Sequence, residues 1–359
     1  MLLNELRIEN LRNIEQLDIE FGPGLNLIDG ANGAGKTSIL EAAYLLSHGT
    51  SFRTHKPEVL IRRGSDALSL FGRVLAGGAE RRLGMQRRAG RWTARLDGDP
   101  TANLTDVLAN CAVVCFEPGS HALISGSAEG RRRYLDWGMF HVEPNYVGWA
   151  RRYRRALRQR NALLKQQGDD EELRVWDEEL SAAAEPLTDA RQRYMERMGA
   201  RLVSLLQIFL PELGGAKVNF RPGWDRSMPL RQVLAEATAR DRLLGHTTRG
   251  PHRADWVLSF EAAPIHEQLS RGQEKVCAIA CLLAQARLYE DTKGESPIVA
   301  LDDFCSELDA PHQWLCLGAL IESRAQVLLT GTEFPAAMAE RFPPSRWFHV
   351  EQAQVRALL

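Results

Sequence analysis

The residues best suited to chemistry lie in one octapeptide near the amino terminus. Its glycines, lysine and hydroxyl follow the spacing Gly-x-x-x-x-Gly-Lys-Ser/Thr, which is typical of a phosphate-binding loop. In such a loop the backbone N–H groups turn towards an anion, the lysine meets the β and γ phosphates, and the hydroxyl can ligate Mg²⁺. We therefore expect a nucleoside triphosphate to bind here. The octapeptide comprises Gly30, Ala31, Asn32, Gly33, Ala34, Gly35, Lys36 and Thr37.

Two carboxylates near the other end of the chain could complete the site. The apolar residues 297–301 are followed by Asp302 and Asp303. At the end of a buried strand, the first carboxylate can hold Mg²⁺ through water, and the second can orient a water that attacks phosphorus. Apolar strands that end in acids are common, so this pair is informative only together with the phosphate-binding loop. With Lys36, Asp303 is the predicted catalytic residue.

A third segment, residues 269–273, has the sequence Leu-Ser-Arg-Gly-Gln. It stands at the head of a predicted helix. The Ser270 hydroxyl and the backbone N–H of Gly272 suit a γ-phosphate, because a helix N-terminus favours anions. We expect these two residues and Gln273 to take part in nucleotide binding.

The hydrophobic pattern predicts the elements that position these groups. A predicted strand precedes the loop, and the following helix directs its positive end at the phosphates. Later strands and helices alternate, which predicts an α/β fold with a parallel sheet. The predicted strands are residues 25–29, 112–116, 298–301 and 327–330, and the predicted helices are residues 37–47, 272–289 and 311–321.

Other segments fall outside this α/β rhythm. The first 30 residues alternate apolar and polar side chains, which predicts a β-ribbon ending in the phosphate-binding loop. Residues 68–96 predict a small antiparallel meander broken at Gly77-Gly78 and Ala89-Gly90. Residues 129–210 are rich in Arg, Glu, Gln, Ala and Leu, so we expect two or three long helices in an all-α insert.

Composition narrows the class of protein. The 359 residues are 44% hydrophobic and 25% charged, which is ordinary for a globular chain and unlike a disordered one. The amino terminus lacks the order of a signal peptide, and no apolar stretch is long enough to span a bilayer. The six cysteines show neither zinc nor disulfide spacing. We expect a cytoplasmic protein that does not contact a membrane.

The net charge of −1 hides a strongly basic region. Between residues 131 and 160 there are nine arginines against two acids, and a second basic stretch covers residues 73–95. Such blocks can bind phosphate backbones. If residues 150–161 are helical, four arginines share one face. The acidic residues 169–179 allow another interpretation, in which an antiparallel helix pair matches these charges internally. The candidate DNA-binding residues are Arg131, Arg132, Arg151, Arg154, Arg155 and Arg158.

The segments at residues 269–273 and 302–309 resemble motifs of the ABC-type ATPases. In that family the Leu-Ser-x-Gly-Gln motif completes the ATP site of the opposite subunit in a head-to-tail dimer. The stretch between Thr37 and Leu269 is longer than in transporter subunits, and the helical insert fills it. The chain therefore resembles a short-armed relative of the SMC and Rad-fifty group. The resemblance implies ATP and Mg²⁺ as cofactors, a homodimer, and a nucleotide contact from Arg12.

Further segments together resemble the bacterial RecF family over essentially the whole chain. They are Leu11-Arg12-Asn13, residues 45–54, Phe116-Glu117-Pro118, residues 131–136 and Gly250-Pro251-His252-Arg253. The resemblance implies a factor of DNA replication and repair that binds duplex or gapped DNA when ATP closes the dimer. It also implies action with RecO and RecR in loading the recombinase. The implied domains are an ATPase head from residues 1–128 and 246–359, with a small β subdomain, and a helical arm from residues 129–245.

The chain departs from the usual ABC motifs at three positions. Asp303 replaces the glutamate after the Walker B aspartate and is one methylene shorter, so we expect slow hydrolysis. Thr330 begins the segment that stands where transporters have a switch histidine, and no glutamine near Phe116 fills the Q-loop position. An alternative function is an ABC-type ATPase coupled to a membrane or protein partner without DNA. Any DNA contact should be made to the backbone and be independent of sequence, because no base-reading module is evident.

Overall fold

The computed structural model describes residues 1–359, the side chain of Glu267 excepted. The chain forms two compact units, one of residues 1–121 and 271–359 and the other of residues 122–270. The domain boundaries after residues 128 and 245 stay a prediction. The strands are β1 (Leu2–Leu11), β2 (Ile14–Glu20), β3 (Leu25–Asp29), β4 (Ala67–Ala76), β5 (Ala79–Arg88), β6 (Arg91–Leu96), β7 (Asp99–Thr101), β8 (Val113–Phe116), β9 (Ala216–Arg221), β10 (Asp255–Phe260), β11 (Ile298–Leu301), β12 (Val327–Thr330), β13 (Arg346–Glu351) and β14 (Gln354–Ala357).

The helices confirm most of the predicted ones to within a few residues. The helix after the phosphate-binding loop and the two late helices lie where the periodicity placed them, and the insert contains three long helices. The helices are α1 (Lys36–His48), α2 (Leu104–Leu108), α3 (Ala122–Ser125), α4 (Ala128–Val142), α5 (Tyr146–Gln166), α6 (Asp170–Phe209), α7 (Leu230–Leu244), α8 (Arg271–Lys293), α9 (Phe304–Glu307), α10 (Ala310–Glu322) and α11 (Ala336–Arg341). Short 3₁₀ turns cover Pro57–Leu60, Pro211–Leu213, Pro251–Arg253 and His266–Gln268.

The first unit contains an antiparallel sheet of order β2-β1-β4-β5-β6-β7. One face of this sheet is buried because apolar and polar side chains alternate along its strands. Leu6 of β1 pairs with Ile19 of β2, Ile8 pairs with Leu17, and all four side chains are buried. These side chains pack in one core with α1 residues such as Ile39. The predicted meander is β4, β5 and β6. The predicted ribbon is correct for β1 and β2, but β3 belongs to a different sheet.

The second sheet of this unit has the order β14-β13-β3-β12-β11-β8. Its neighbouring strands are parallel except for the hairpin of β13 and β14. The central strands are continuous apolar runs because both faces are covered. Parallel pairing brings the carboxyl ends of β3, β12, β11 and β8 to one edge, where Gly30, Gly331, Asp302 and Glu117 follow them.

The second unit is mainly helical. Its longest helix, α6, has 40 residues and continues through Pro186. Residues 129–210 form helices α4, α5 and α6, as predicted, and β9 and β10, which pair antiparallel, lie outside that stretch but within this unit. Gly214, Gly215 and Pro222 around β9 are loop residues, so the short alternation of half-buried Val218 and Phe220 between them was not recognised as a strand.

Buried ion pairs hold the helices of this unit together. Arg160 of α5 is fully buried and donates to Asp177 of α6 and to Asp241 of α7, each at 2.6 Å. It also donates to the Thr247 hydroxyl at 2.9 Å. A buried charge of this kind is tolerated only when it is paired and hydrogen-bonded. The network therefore fixes how α5, α6 and α7 pack.

The remaining sequence expectations concern cysteines and membranes. The six cysteines are free thiols in the structure. Within the part of the chain that the structure describes, no helix is both long and apolar enough to cross a bilayer.

A buried histidine in the second unit makes stability depend on pH. His252 Nε2 lies 2.9 Å from the Thr247 carbonyl oxygen, which can only accept, so Nε2 carries the proton. Nδ1 must then accept from the Tyr153 hydroxyl, 2.6 Å away. Burial is the main cause that lowers the pKa of His252 to about 4 from its usual 6.5. The fold thus favours the neutral ring.

We predict that this unit loses stability as the pH falls from 6.5 to 4. In that window the unfolded chain binds a proton that the folded His252 resists, so stability is complete above 6.5 and declines below it. The loss attributable to this ring is about 3 kcal/mol. Urea unfolding of the wild type and of His252→Gln at several pH values checks this. Parallel pH curves for the two proteins would contradict the prediction.

Candidate nucleoside triphosphate site

The phosphate-binding loop connects β3 to α1 through glycines in conformations that other residues avoid. Gly30, Gly33 and Gly35 have φ of 142°, 80° and 119°. A Cβ at Gly30 would lie only 2.2 Å from the Val350 carbonyl oxygen of β13. Both the backbone angle and the close packing therefore require glycine at residue 30. The loop ends at Gly35, which caps the N-terminus of α1.

Lys36 begins α1 and folds back over the loop. Its side chain is buried, with 5% exposed, and Nζ donates to the carbonyl oxygens of Gly30 at 2.7 Å and Ala31 at 3.0 Å. The ammonium is therefore held at the mouth of the loop by its own backbone. An incoming phosphate offers this charge a stronger, charge-assisted partner.

The hydroxyls of two threonines converge on Asp302. Thr37 of α1 donates to Asp302 Oδ1 at 3.0 Å, and Thr330 at the end of β12 donates to the same oxygen at 2.7 Å. Asp302 is buried, and burial raises its pKa even though both hydroxyls favour the carboxylate. A buried carboxylate beside a hydroxyl offers the hard oxygen ligands that Mg²⁺ takes together with substrate phosphates. The donor set fits the expected metal.

Asp303 lies at the same edge in a left-handed conformation, with φ of 47°. Its backbone N–H donates to the Thr330 hydroxyl at 3.0 Å, so Thr330 ties together the two residues that follow β11. The sequence showed only that Thr330 replaces a histidine. Its bonds to both aspartate positions assign it a positioning role that a motif comparison could not reveal.

An open pocket of about 370 Å³ lies over the loop. Seven of the residues named from the sequence line it: Arg12, Asn32, Gly33, Gly35, Lys36, Thr37 and Asp303. Sequence reasoning missed Asn13, Ser38 and Arg53. Arg53 lies in the segment 45–54 that carried the family resemblance, but nothing in its spacing indicated a phosphate contact. The complete lining is Arg12, Asn13, Asn32, Gly33, Gly35, Lys36, Thr37, Ser38, Arg53 and Asp303.

A buried carboxylate on α1 organises the two arginines of this pocket. Glu41 is fully buried and accepts two bonds from Arg12, from Nε at 2.9 Å and from Nη2 at 2.7 Å. It also accepts from the Ser51 hydroxyl, and Arg53 Nη1 lies 3.8 Å away. Glu41 therefore orients Arg12 and Arg53, and part of each guanidinium group can still face the pocket.

Glu117, not a glutamine, follows Phe116 at the end of β8. Register pairs Phe116 of β8 with Leu301 of β11, so Glu117 and Asp302 leave the sheet side by side. Burial raises the pKa of Glu117, and the nearby charge of Asp302 acts in the same direction. In the structure its carboxylate accepts from the backbone N–H of Gly119 at 2.6 Å.

The Leu-Ser-x-Gly-Gln segment does not contribute to this pocket. Ser270 and Gly272 are exposed at the start of α8, and Gln273 is half-buried there. Of the residues that the structure describes, none from 269–273 belongs to the pocket lining. The pocket lining of one copy therefore lacks this segment.

The candidate DNA-binding arginines divide into two groups. Arg131 donates twice to Asp255, at 2.7 and 3.0 Å, and also to the Gly126 carbonyl at 2.8 Å. Arg132 donates to the Ala254 carbonyl at 2.8 Å. These bonds occupy most of the donors of Arg131, whose side chain is 13% exposed. A DNA contact from Arg131 and Arg132 stays a prediction, and both have structural partners within this unit.

The arginines of α5 that share one face are exposed. Acidic residues of α6 do pair across the hairpin, and the arginines that they pair with lie outside this row: Glu179 pairs with Arg152, and Asp177 pairs with Arg160. The internal matching of charges that the sequence allowed is therefore real, and it uses a different part of α5 from the outward row. The row consists of Arg151, Arg154, Arg155 and Arg158.

The chain was compared with known protein families and relatives. A family model described as the RecF/RecN/SMC N terminal domain matches residues 2–342. The DNA replication and repair protein RecF of Stenotrophomonas maltophilia (strain R551-3) is 48% identical over 364 residues, covering 100% of both chains. The protein of the same name from Shewanella loihica (strain ATCC BAA-1088 / PV-4) is 37% identical over 362 residues, again covering 100% of both. The chain belongs to the RecF family.

Solved structures agree with this assignment. The recombination mediator protein RecF with ATP, from the RecFOR pathway, superposes with a TM-score of 0.90 at 25% identity, covering 99% of this chain and 97% of that one. An SMC head bound to the C-winged helix domain of ScpA has a TM-score of 0.59 at 14% identity, covering 100% and 97%, and shares the fold. The predicted α/β fold, an SMC-like ABC-type ATPase head assembled from both chain ends with an inserted arm, is confirmed.

We predict that Glu41→Gln destabilises the protein by about 2 kcal/mol, because charge-assisted bonds to Arg12 become neutral ones. The matched control is Glu58→Gln, an exposed glutamate close by in sequence, which should change stability by less than about 0.5 kcal/mol. Urea unfolding followed by circular dichroism measures both. Equal effects of the two substitutions would show that the charge of Glu41 does not organise the pocket.

Proposed function

We propose that this chain is an ATP-dependent DNA-binding protein of replication and recombinational repair. ATP drives dimerisation, the dimer binds duplex or gapped DNA without sequence specificity, and slow hydrolysis releases it. The observation that carries the proposal is a pocket whose lining lacks the Leu-Ser-x-Gly-Gln segment. The pocket holds Lys36 and Thr37 but no residue of 269–273, while Ser270 and Gly272 lie exposed at a helix N-terminus. A second copy can supply what the pocket lacks.

Within one copy, the loop residues 30–37 bind the phosphates. Lys36 exchanges its backbone carbonyl partners for the β and γ phosphates, and Arg12 and Arg53, which line the same pocket, add positive charge. Thr37 and Asp302 would hold Mg²⁺, which neutralises phosphate charge when bound. Gly30, Ala31, Asn32, Gly33, Ala34 and Gly35 contribute backbone groups to this cradle.

Asp303 is the proposed residue that orients the attacking water. It lines the pocket, and its backbone is fixed by Thr330. Its carboxylate is one methylene shorter than the glutamate usual at this position, so it reaches less far towards the γ-phosphate. Turnover is therefore slow, and hydrolysis acts as a timer for release.

Dimer closure requires that ATP bind the closed dimer far more tightly than the open monomer. A change from 1:99 to 99:1 takes about 5.5 kcal/mol. The two nucleotides of the dimer together supply this difference in binding free energy. Each is contacted by Ser270, Gly272 and Gln273 of the opposite copy. The backbone N–H groups at the start of α8 and its dipole favour the γ-phosphate.

The proposed DNA contact is the exposed arginine row of α5. A regular row of guanidinium groups can follow phosphates without reading bases. As a RecF-family protein in the cytoplasm, the dimer would work with RecO and RecR in loading the recombinase at gaps. The alternative, an ABC-type ATPase that couples to a membrane or protein partner without DNA, shares the ATP site but not a DNA surface.

We predict that Ser270→Arg binds ATP like the wild type but no longer dimerises with it. A long cation at residue 270 would occupy the place of the partner's γ-phosphate while leaving the pocket of its own copy intact. Sedimentation velocity with and without ATP measures the oligomeric state, and equilibrium dialysis measures ATP affinity. Ser227→Arg, at an exposed serine, is the matched control and should dimerise.

A Ser270→Arg protein that dimerises normally with ATP would refute the shared site. A wild-type dimer that forms with ATP but holds no DNA would support the alternative function.

We also predict that replacing Arg151, Arg154 and Arg155 by alanine weakens DNA binding and flattens its salt dependence. For each phosphate that the variant no longer neutralises, the slope of log affinity against log salt should fall by about 0.9. Fluorescence anisotropy with a labelled duplex at several salt concentrations, in the presence of ATP, gives the slope.

The control removes the same number of charges elsewhere, at exposed Arg174, Arg193 and Arg240. If both triple variants show the wild-type slope, the row on α5 is not the DNA surface.

A further inference from the structure

A groove of about 720 Å³ lies between α5 and α6 in the second unit. Its apolar part is formed by Ala156, Val175, Trp176 and Ala182. Val175 is 63% exposed, which is unusual for a valine in a helix, and Trp176 is only half-buried. A groove of this size can accept a flat ring system.

The charges around the groove favour an anionic occupant. Its lining carries two glutamates and three arginines, which are Arg151, Arg152 and Arg155. Glu179 accepts from Arg152 at 2.5 and 2.7 Å, so its charge is balanced within the groove. Glu178 pairs at 2.8 Å with Arg231, which lies outside the lining. The groove therefore combines an apolar floor with net positive charge.

The positive row continues beyond the groove. Arg154 and Arg158 belong to the same face of α5 but do not line the groove. From residue 151 to residue 158 the helix rises about 10 Å. A single nucleic-acid strand presents several phosphates over that length, at about 3.4 Å each in a helix. An extended polyanion uses the whole row, whereas an acidic peptide seated in the groove needs only Arg151 and Arg155.

We propose that the groove is a subsite for an unpaired nucleobase of a single strand. The base stacks on Trp176, and the phosphates of the same strand lie on Arg151, Arg155 and Arg158. An aromatic ring beside a basic track is the usual means of binding single strands without sequence preference. The inference rests on the proposed DNA binding and adds to it the residues that would hold an unpaired base next to duplex.

The test compares a blunt duplex with the same duplex carrying a single-stranded tail, measured by fluorescence anisotropy with ATP present. Wild type should bind the tailed DNA more tightly than the blunt DNA. Trp176→Ala should lose about tenfold in affinity for the tailed DNA and leave the blunt affinity unchanged. Trp176→Phe should restore most of the loss, because phenylalanine keeps an aromatic face.

A second measurement uses the wild-type protein, so it does not require any variant to fold. A tail with 5-bromodeoxyuridine should photo-crosslink to Trp176 of the wild-type protein. Crosslinking elsewhere, or an unchanged tailed affinity in Trp176→Ala with blunt binding intact, overturns the subsite but not the proposed function. If neither DNA binds the wild type, both fail. If poly-L-glutamate binds the wild type and Trp176→Ala loses that binding without losing tail affinity, the groove receives an acidic protein segment and the inference is wrong.

Discussion

Parallel pairing of β3, β12, β11 and β8 is the constraint on which the rest of the site depends. Because the carboxyl ends of parallel strands meet at one edge, the phosphate-binding loop lies next to Asp302 although 265 positions separate Thr37 from it. The register fixes the neighbours: Ile28 pairs with Thr330, and Leu301 pairs with Phe116. A change in the pairing register of one strand would move Thr330 away from Asp302. The loop would then no longer lie beside the two carboxylates. The antiparallel sheet supports this edge from one side, since Asn13 in the turn between β1 and β2 donates to the Gly33 carbonyl at 3.1 Å.

The two buried carboxylates, Glu41 and Asp302, have different electrostatic roles. Glu41 already has cationic partners, so its charge is compensated and its effect is to orient Arg12 and Arg53. Asp302 has only hydroxyl partners, and its raised pKa shows that burial outweighs them. A carboxylate that is buried without a cation gains most from a cation that arrives with the substrate. The arginine side of the site is thus charge-compensated when empty, whereas on the aspartate side the proposed metal would supply the missing cation.

The sequence predicted the parts of this protein that rest on local patterns. The loop, the strands at 298–301 and 327–330, and the helix after the loop follow from glycine spacing and apolar runs, and they are where those patterns placed them. The contacts of Arg53, Glu41 and Thr330 could not be predicted, because each depends on which strand lies beside which. Charge density could not show that Arg131 pairs with Asp255, which is distant in sequence. Nor could a pattern show β13, whose Val350 carbonyl explains why residue 30 must be glycine.

The arginines of the basic stretch in the helical arm have different roles. Of its arginines, Arg160 is buried and fixes three helices, and Arg152 neutralises Glu179, so neither is available to a phosphate. Those two pairs have a second effect, because they neutralise acids of α6 that would otherwise repel a polyanion. The exposed row on α5 owes its net positive field to this internal pairing. Structure and the proposed DNA binding therefore share one basic segment, and the two are coupled, because the buried network that includes Arg160 also holds α6 in place against α5.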